Sequence, residues 1–354
     1  MPTTAAVIGT GPDPENPSSE GYAMGYQHAD GYVAAPDCEL LACADVVPEN
    51  AAAFADSYDL PEDAVYEDYQ AMLAAVEPDV VSVCVPPAIH AELVVGCIHS
   101  GVVDSVHCEK PMASTWGEAR LMAQEADRRG VDLTFNHQRR FGEPFRRAKA
   151  LLDDGEIGAL ERVEYAAVNV YDYGSHSFDL CGYFVDETPP EWVLGNVDYR
   201  DQNLLFGAHN ENQAVVQWEY ADGVDGLATT GYGSDLVGAH NRIVGSEGVI
   251  ELRWEDGPTL HVRRDGEGWT AVETGEEGLH GPGYVERAID DVVTAVREGG
   301  ESELCARNAL NATELAFGAW ESARRRGRVE FPLEVDDNPL EAMVEAGDLT
   351  PDRD

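Results

Sequence analysis

Short apolar runs alternate with longer amphipathic stretches from the start of the chain to about residue 138. Runs at 5–9, 39–44, 79–85, 105–109 and 131–135 have the length of strands. Helical spacing of the apolar positions predicts helices between them, at 22–34, 48–57, 66–76, 89–100 and 115–129. The third run, Val80-Val81-Ser82-Val83-Cys84-Val85, is nearly all apolar, as a strand buried on both faces must be. Strands separated by helices of this length imply right-handed βαβ units and a doubly wound parallel α/β sheet. The rhythm changes near residue 140. One helix over 143–154 ends at Asp153-Asp154-Gly155, and strands are then predicted at 159–170, 213–220, 226–232, 241–244, 248–254 and 259–263. Turn signals such as Ala221-Asp222-Gly223 join them, which favours an α+β domain with a large, mostly antiparallel open sheet. Helices at 283–298 and 302–326 close that domain. The second is stopped by Arg324-Arg325-Arg326-Gly327, with cations at the negative helix end and glycine just past it. Two domains are expected, 1–138 and 139–354, the second carrying an acidic, proline-interrupted tail.

Composition narrows the partners. The 354 residues include 67 Asp+Glu against 23 Lys+Arg, a formal net charge of −44. A surface of this sign repels polyphosphates and anionic lipid, so neither nucleic acid nor a membrane is an expected partner. Disorder is not implied, because 44% of the residues are hydrophobic and no long stretch lacks them. Only Lys110 and Lys149 among the cations are lysines. Abundant carboxylates with few lysines read as a cytoplasmic protein of a salt-loving organism. The opening MPTTAAVIGTG enters an apolar run with no basic leader, which supports a cytoplasmic location. No apolar stretch approaches the roughly 18 residues of a membrane span. The seven cysteines include no C-x-x-C pair and are expected as free thiols, not as disulfides or zinc ligands.

The first strand runs into Gly9-Thr10-Gly11, the start of the Rossmann fingerprint, whose glycines allow a tight turn and close approach to a pyrophosphate. The third glycine is displaced: 13 residues separate Gly11 from Gly25, the next fitting position, and the polar insertion spans 12–19. Ser18 or Ser19 would cap a helix beginning near Glu20. Asp45 follows Gly25 by 20 residues, at the end of the second strand, where a carboxylate bonds the adenosine ribose. It would repel a 2′-phosphate, and Val46-Val47 supply no cation, so the cofactor is expected to be NAD in preference to NADP.

The second chemical element is Asp172-Tyr173-Gly174-Ser175-His176-Ser177-Phe178-Asp179. Positions 172, 176 and 179 share one face if the segment is a continuous helix. A histidine flanked by carboxylates can take a proton from a hydroxyl near neutral pH, and a desolvated Lys110 can bind the same hydroxyl. The same three residues could hold a metal, which the missing third soft ligand argues against. Asp179 is equally suited to pairing with an arginine of its own domain. Tyr171 and Tyr173 are candidates for stacking on a sugar.

Cys108-Glu109-Lys110-Pro111 completes a recognisable set. The E-K-P tripeptide, Pro86-Pro87-Ala88-Ile89-His90, Asn136-His137-Gln138-Arg139-Arg140-Phe141, Gly155-Glu156-Ile157-Gly158 and Gly245-Ser246-Glu247-Gly248 occur in one order over nearly the whole chain. Together with Asp172…His176 they resemble the glucose-fructose oxidoreductase / inositol dehydrogenase (Gfo/Idh/MocA) family. The resemblance implies NAD(P)-dependent hydride transfer to or from a secondary alcohol or ketone of a sugar, polyol or cyclitol. It implies Lys110, His176 and Asp172 as catalytic residues, and Pro86, His90, Glu109 and Lys110 beside the cofactor with Gly9, Gly11, Gly25 and Asp45. A homodimer or homotetramer is implied as well, and no metal. Two rival readings share the fold: a non-redox glycosidase that retains NAD, and a catalytically silent dinucleotide sensor. The Lys110–Pro111 bond is a candidate for cis. The chain departs from the family in its insertion after Gly11 and in a short connection between the strand after Gly158 and Asp172.

Overall fold

A computed structural model describes residues 2–12, 14, 23–254, 257–281 and 283–352. The expected helix start near Ser18, Ser19 and Glu20 lies outside them. The first half runs β1 (Thr3–Ile8), α1 (Met24–Ala34), β2 (Cys38–Ala44), α2 (Pro48–Ser57), β3 (Val65–Tyr66), α3 (Tyr69–Val76), β4 (Val80–Val83), α4 (His90–Ser100), β5 (Ser105–Cys108), α5 (Trp116–Arg129) and β6 (Asp132–Phe135). The strands form one parallel sheet in the order β3-β2-β1-β4-β5-β6, the doubly wound arrangement expected. All four residues of β4 are buried, which explains its unbroken apolar run. The edge strand β3 escaped the sequence reading because two half-buried residues carry no periodicity.

The second half runs α6 (Glu143–Asp153), β7 (Leu160–Ala167), α7 (Gly174–Phe184), β8 (Pro190–Asp198), β9 (Leu204–Leu205), β10 (Ala208–His209), β11 (Gln213–Tyr220), β12 (Asp225–Thr230), β13 (Asn241–Gly245), β14 (Gly248–Leu252), β15 (Leu260–Arg264), β16 (Thr270–Val272), α8 (Gly283–Glu298), α9 (Ala306–Arg325), β17 (Val329–Glu330) and α10 (Pro339–Glu345). Nine strands form one sheet in the order β16-β15-β14-β13-β7-β12-β11-β8-β17. Within it β7 and β12 pair in parallel and the other neighbours are antiparallel. Strand β8 was not foreseen: it opens on Pro190 and is broken in pattern by Gly195 and Asn196, and only pairing with β11 and β17 defines it. One face of this sheet is the core. Trp218 of β11 lies there against Phe178 of α7, ring centroids 5.2 Å apart, and a side chain at Gly195 of β8 would strike the Ala319 carbonyl of α9. The other face carries a cross-strand ladder in which Arg242 bonds Glu164 and Glu251, its register neighbours on β7 and β14.

Backbone contacts divide the chain into two compact units. The first comprises Met1–Ser114, Glu118–Gln138 and Pro282–Ala309; the second comprises Thr115–Gly117, Arg139–Gly281 and Leu310–Asp354. The expected cut at 138 therefore misses the return of α8 to the parallel-sheet unit. The cause is its apolar stripe (Tyr284, Val285, Ala288, Ile289, Val292, Val293), which is buried against α1 where Gly31 leaves room for Ile289. Helix α9 ends with Arg326, not Gly327, in the left-handed conformation, and the Gly327 amide donates to the Ser322 carbonyl. No helix among the described residues is long and apolar enough to cross a membrane.

Candidate functional site

The parallel-sheet unit builds a glycine turn at the carboxyl end of β1. Gly9 (φ 83°) and Gly11 (φ 70°) both occupy the left-handed region, which a side chain would strain. Gly25 is close to them in space despite its distance in sequence. A Cβ on it would lie 2.8 Å from the Gly9 carbonyl oxygen and 2.9 Å from Thr10 Cα. Helix α1 thus reaches the turn only because position 25 has no side chain, the packing role of the fingerprint's third glycine. Asp45, just past β2, accepts hydrogen bonds from Gly11 N–H (3.1 Å) and Thr10 O–H (3.0 Å). The structure therefore brings Gly9, Gly11, Gly25 and Asp45 together, a backbone cradle backed by one carboxylate, and this fits a dinucleotide.

The strand exits beside this turn carry the other cofactor candidates. Pro86 is exposed and caps a short turn after β4. His90 does not present its ring to solvent: it is buried, with Nε2 2.8 Å from the Val85 carbonyl and Nδ1 3.0 Å from the Pro111 carbonyl. Burial lowers its pKa, and the ring lies between the carbonyls of the two loops. The Lys110–Pro111 bond is cis, and Lys110 itself is half-buried. Glu109 is buried beneath Lys110 and accepts a hydrogen bond from the Lys110 amide at 3.2 Å. Its other oxygen lies 3.0 Å from His28 Nε2 and accepts Asn136 Nδ2–H at 2.7 Å. Burial alone would raise the Glu109 pKa, but His28, Asn136 and Lys110 outweigh it and hold the group down to about 2. His28 Nδ1 in turn lies 2.9 Å from Ser82 Oγ, which is 2.7 Å from the Tyr32 hydroxyl. Sequence reading missed His28 and Asn136 as parts of this network. The place of His28, three residues after Gly25 on the helix that enters the turn, is the available signal.

The second unit holds the Asp172–His176 element. The expected continuous helix is not formed: α7 begins at Gly174, and Asp172 lies in the turn before it. Asn169 Oδ1 accepts the Tyr173 amide at 2.9 Å, one of the N–H groups that a helix start leaves without an intrahelical partner. Gly174 is forced by the same turn, since a Cβ there would lie 2.4 Å from the Asn169 carbonyl oxygen. His176 is buried, 4% exposed, and Asp172 is half-buried with its amide donating to Asn210 Oδ1 at 3.2 Å. Asp179 is taken up by Arg140, whose Nε and Nη2 bond its two oxygens at 3.0 and 2.6 Å; this removes it from any metal set. Tyr171 is buried against Trp320 and Phe317, whereas Tyr173 is half-buried and stacks over Arg139, 3.9 Å from ring centroid to guanidinium carbon.

Comparison with known proteins matches both units. The model of the Gfo/Idh/MocA oxidoreductase family, NAD-binding Rossmann fold, matches residues 20–137, and that of the family's C-terminal alpha/beta domain matches residues 150–331. D-glucoside 3-dehydrogenase of Escherichia coli is 36% identical over 133 residues, 38% of this chain and 37% of that protein, so this match spans little more than a third of either. Inositol 2-dehydrogenase of Rhizobium meliloti is 22% identical over 337 residues, 87% of this chain and 96% of that protein. Among solved structures, an inositol dehydrogenase homologue from Azotobacter vinelandii, complexed with NADH and myo-inositol, has a TM-score of 0.75 at 19% identity, covering 94% of this chain and 98% of that one. An oxidoreductase from Agrobacterium radiobacter in complex with NAD+, L-tartaric acid and magnesium has a TM-score of 0.77 at 17% identity, covering 93% and 98%.

Proposed function

Because the chain belongs to the Gfo/Idh/MocA oxidoreductase family, with an NAD-binding Rossmann unit, we propose that it oxidises a secondary alcohol of a sugar, polyol or cyclitol, or reduces the corresponding ketone. The observation that carries this is the cradle of Gly9, Gly11, Gly25 and Asp45 in a chain that also presents Asp172 and His176 at the head of α7. Gly9, Gly11 and Gly25 would admit the pyrophosphate and Asp45 the ribose hydroxyls, which supports NAD over NADP. When bound, the nicotinamide supplies the hydride acceptor or donor. His176 takes or returns the proton of the reacting hydroxyl, Asp172 orients it, and the Lys110 ammonium binds the hydroxyl oxygen and favours its alkoxide character. The names of the inositol, glucoside and apiose dehydrogenases among its relatives support the substrate class. We also place the protein in the cytoplasm of a salt-adapted cell, as a homodimer or homotetramer.

The test is reduction of NAD and NADP across a panel of inositols, aldoses and glycosides in molar salt. Turnover with NAD is expected on at least one of them. Lys110→Ala and His176→Ala should each lower kcat about 100-fold or more while NAD still binds. Full turnover by the double variant would remove these residues from the mechanism, and NAD binding without turnover on any panel member would overturn the oxidoreductase reading.

A further inference from the structure

The turn that delivers Asp172 and His176 is held by side chains distant in sequence. Glu211 lies between β10 and β11 and is fully buried, 0% exposed. Its Oε1 accepts the Val170 amide at 2.8 Å and the Thr230 hydroxyl at 2.8 Å; its Oε2 accepts the Trp320 indole N–H at 3.1 Å. The preceding residue, Asn210, is also fully buried. It accepts the Asp172 amide on Oδ1 at 3.2 Å and donates from Nδ2 to the Ala208 carbonyl at 3.1 Å. With Asn169 on the Tyr173 amide, three side chains take the amides of residues 170, 172 and 173. The amides of Ser175 and His176 then bond back to the carbonyls of Tyr171 and Tyr173 and start the helix.

A buried carboxylate is costly and is kept where its acceptors are needed. The donor set shows the need. The Val170 and Trp320 N–H groups can only donate, so both oxygens at position 211 must accept, a demand a carboxylate meets and a glutamine amide does not. The Thr230 hydroxyl donates to Oε1 while its own oxygen accepts the Ala214 amide at 2.8 Å. The Trp320 ring packs on Tyr171 at 5.5 Å between centroids, so the same indole fixes the turn's apolar side and the carboxylate beneath it.

We propose that Asn210 and Glu211 are positioning residues that set the geometry of the Asp172–His176 turn for catalysis, without touching substrate or cofactor. The catalytic part of this rests on the oxidoreductase reading above; the positioning part does not. The test uses the full chain and two readouts: amide hydrogen exchange over residues 168–176, and steady-state kinetics with a separate NAD titration. Glu211→Gln keeps the shape but turns an NH2 group toward either Val170 or Trp320. It should speed exchange within 168–176 at least about tenfold, lower kcat about 10- to 100-fold, and leave NAD affinity within about twofold. Trp320→Phe removes the opposing N–H, so the Glu211→Gln/Trp320→Phe pair should return to within about threefold of Trp320→Phe alone. Asn210→Ala, which buries no new donor, should reproduce the local loosening at Asp172 if Glu211→Gln fails to fold. Unchanged exchange in both variants would overturn the proposal, as would a loosened turn with unchanged kcat, or a loss equally deep in the double variant. If the wild type turns over nothing on the panel, the oxidoreductase reading falls, and exchange alone decides whether these residues hold the turn.

Discussion

Glu109 illustrates how one residue joins burial, charge and function. Its carboxylate is out of water yet ionised, because His28 and Asn136 supply the interactions that burial removes, and the Lys110 amide bonds its second oxygen. A folded-state pKa of about 2 against an ordinary value of 4.5 means that ionised Glu109 stabilises the fold at and above pH 4.5. The gain is lost as pH falls through 2, and the linkage is about 3 kcal/mol. Glu109→Gln should therefore lower unfolding free energy most at pH 5–6, with the gap to wild type closing toward pH 2. Urea unfolding at several pH values measures it, and a gap that stays constant or widens in acid would show that the carboxylate is not held ionised. The tripeptide marked this residue in the sequence, but its partners were not visible there. They come from α1 and the end of β6, and a histidine in an amphipathic helix looks like any other.

At the scale of elements, helix α1 and the β1 turn form a contact that depends on one missing atom. A methyl group at position 25 would meet the backbone of Gly9 and Thr10, which cannot swing aside as a side chain would. Gly25→Ala should shift α1 away from the turn, weaken NAD binding about tenfold or more, and cost about 1–3 kcal/mol by overpacking. NAD titration and a thermal melt measure the two effects; unchanged affinity would separate Gly25 from the cofactor cradle. The expected helix over Asp172–Asp179 shows the converse limit. Spacing placed three polar groups on one face, but α7 runs from Gly174, with Asp172 in the turn before it and Asn169 holding the Tyr173 amide there. Local side-chain capture of this kind is decided by turn geometry, which periodicity does not encode.

Across the whole molecule, the net charge of −44 is a global self-repulsion that no pairing removes, with 67 acidic against 23 basic residues. Arginines are used in shared pairs, such as Arg242 between Glu164 and Glu251, and the acids still outnumber the cations 67 to 23. Salt shortens the range of that repulsion from about 10 Å at 0.1 M to about 3 Å at 1 M. The melting temperature should rise by about 10 °C between 0.1 and 2 M NaCl, a few kcal/mol for units of this size. A flat or falling curve would contradict the salt-adapted reading. By itself the sequence determined the two sheet types and the glycine turn, because each is written in local spacing or in a short contiguous motif, and it offered Lys110, Asp172 and His176 as candidates. Only the tertiary structure decided that α8 returns to the parallel-sheet unit, that β8 is a strand, that Asp172 stands off its helix, and that Asn210 and Glu211 hold its turn. Each of these depends on groups tens of residues apart finding one another, or on side-chain bonds that hold a turn, and neither leaves a periodic mark on the chain.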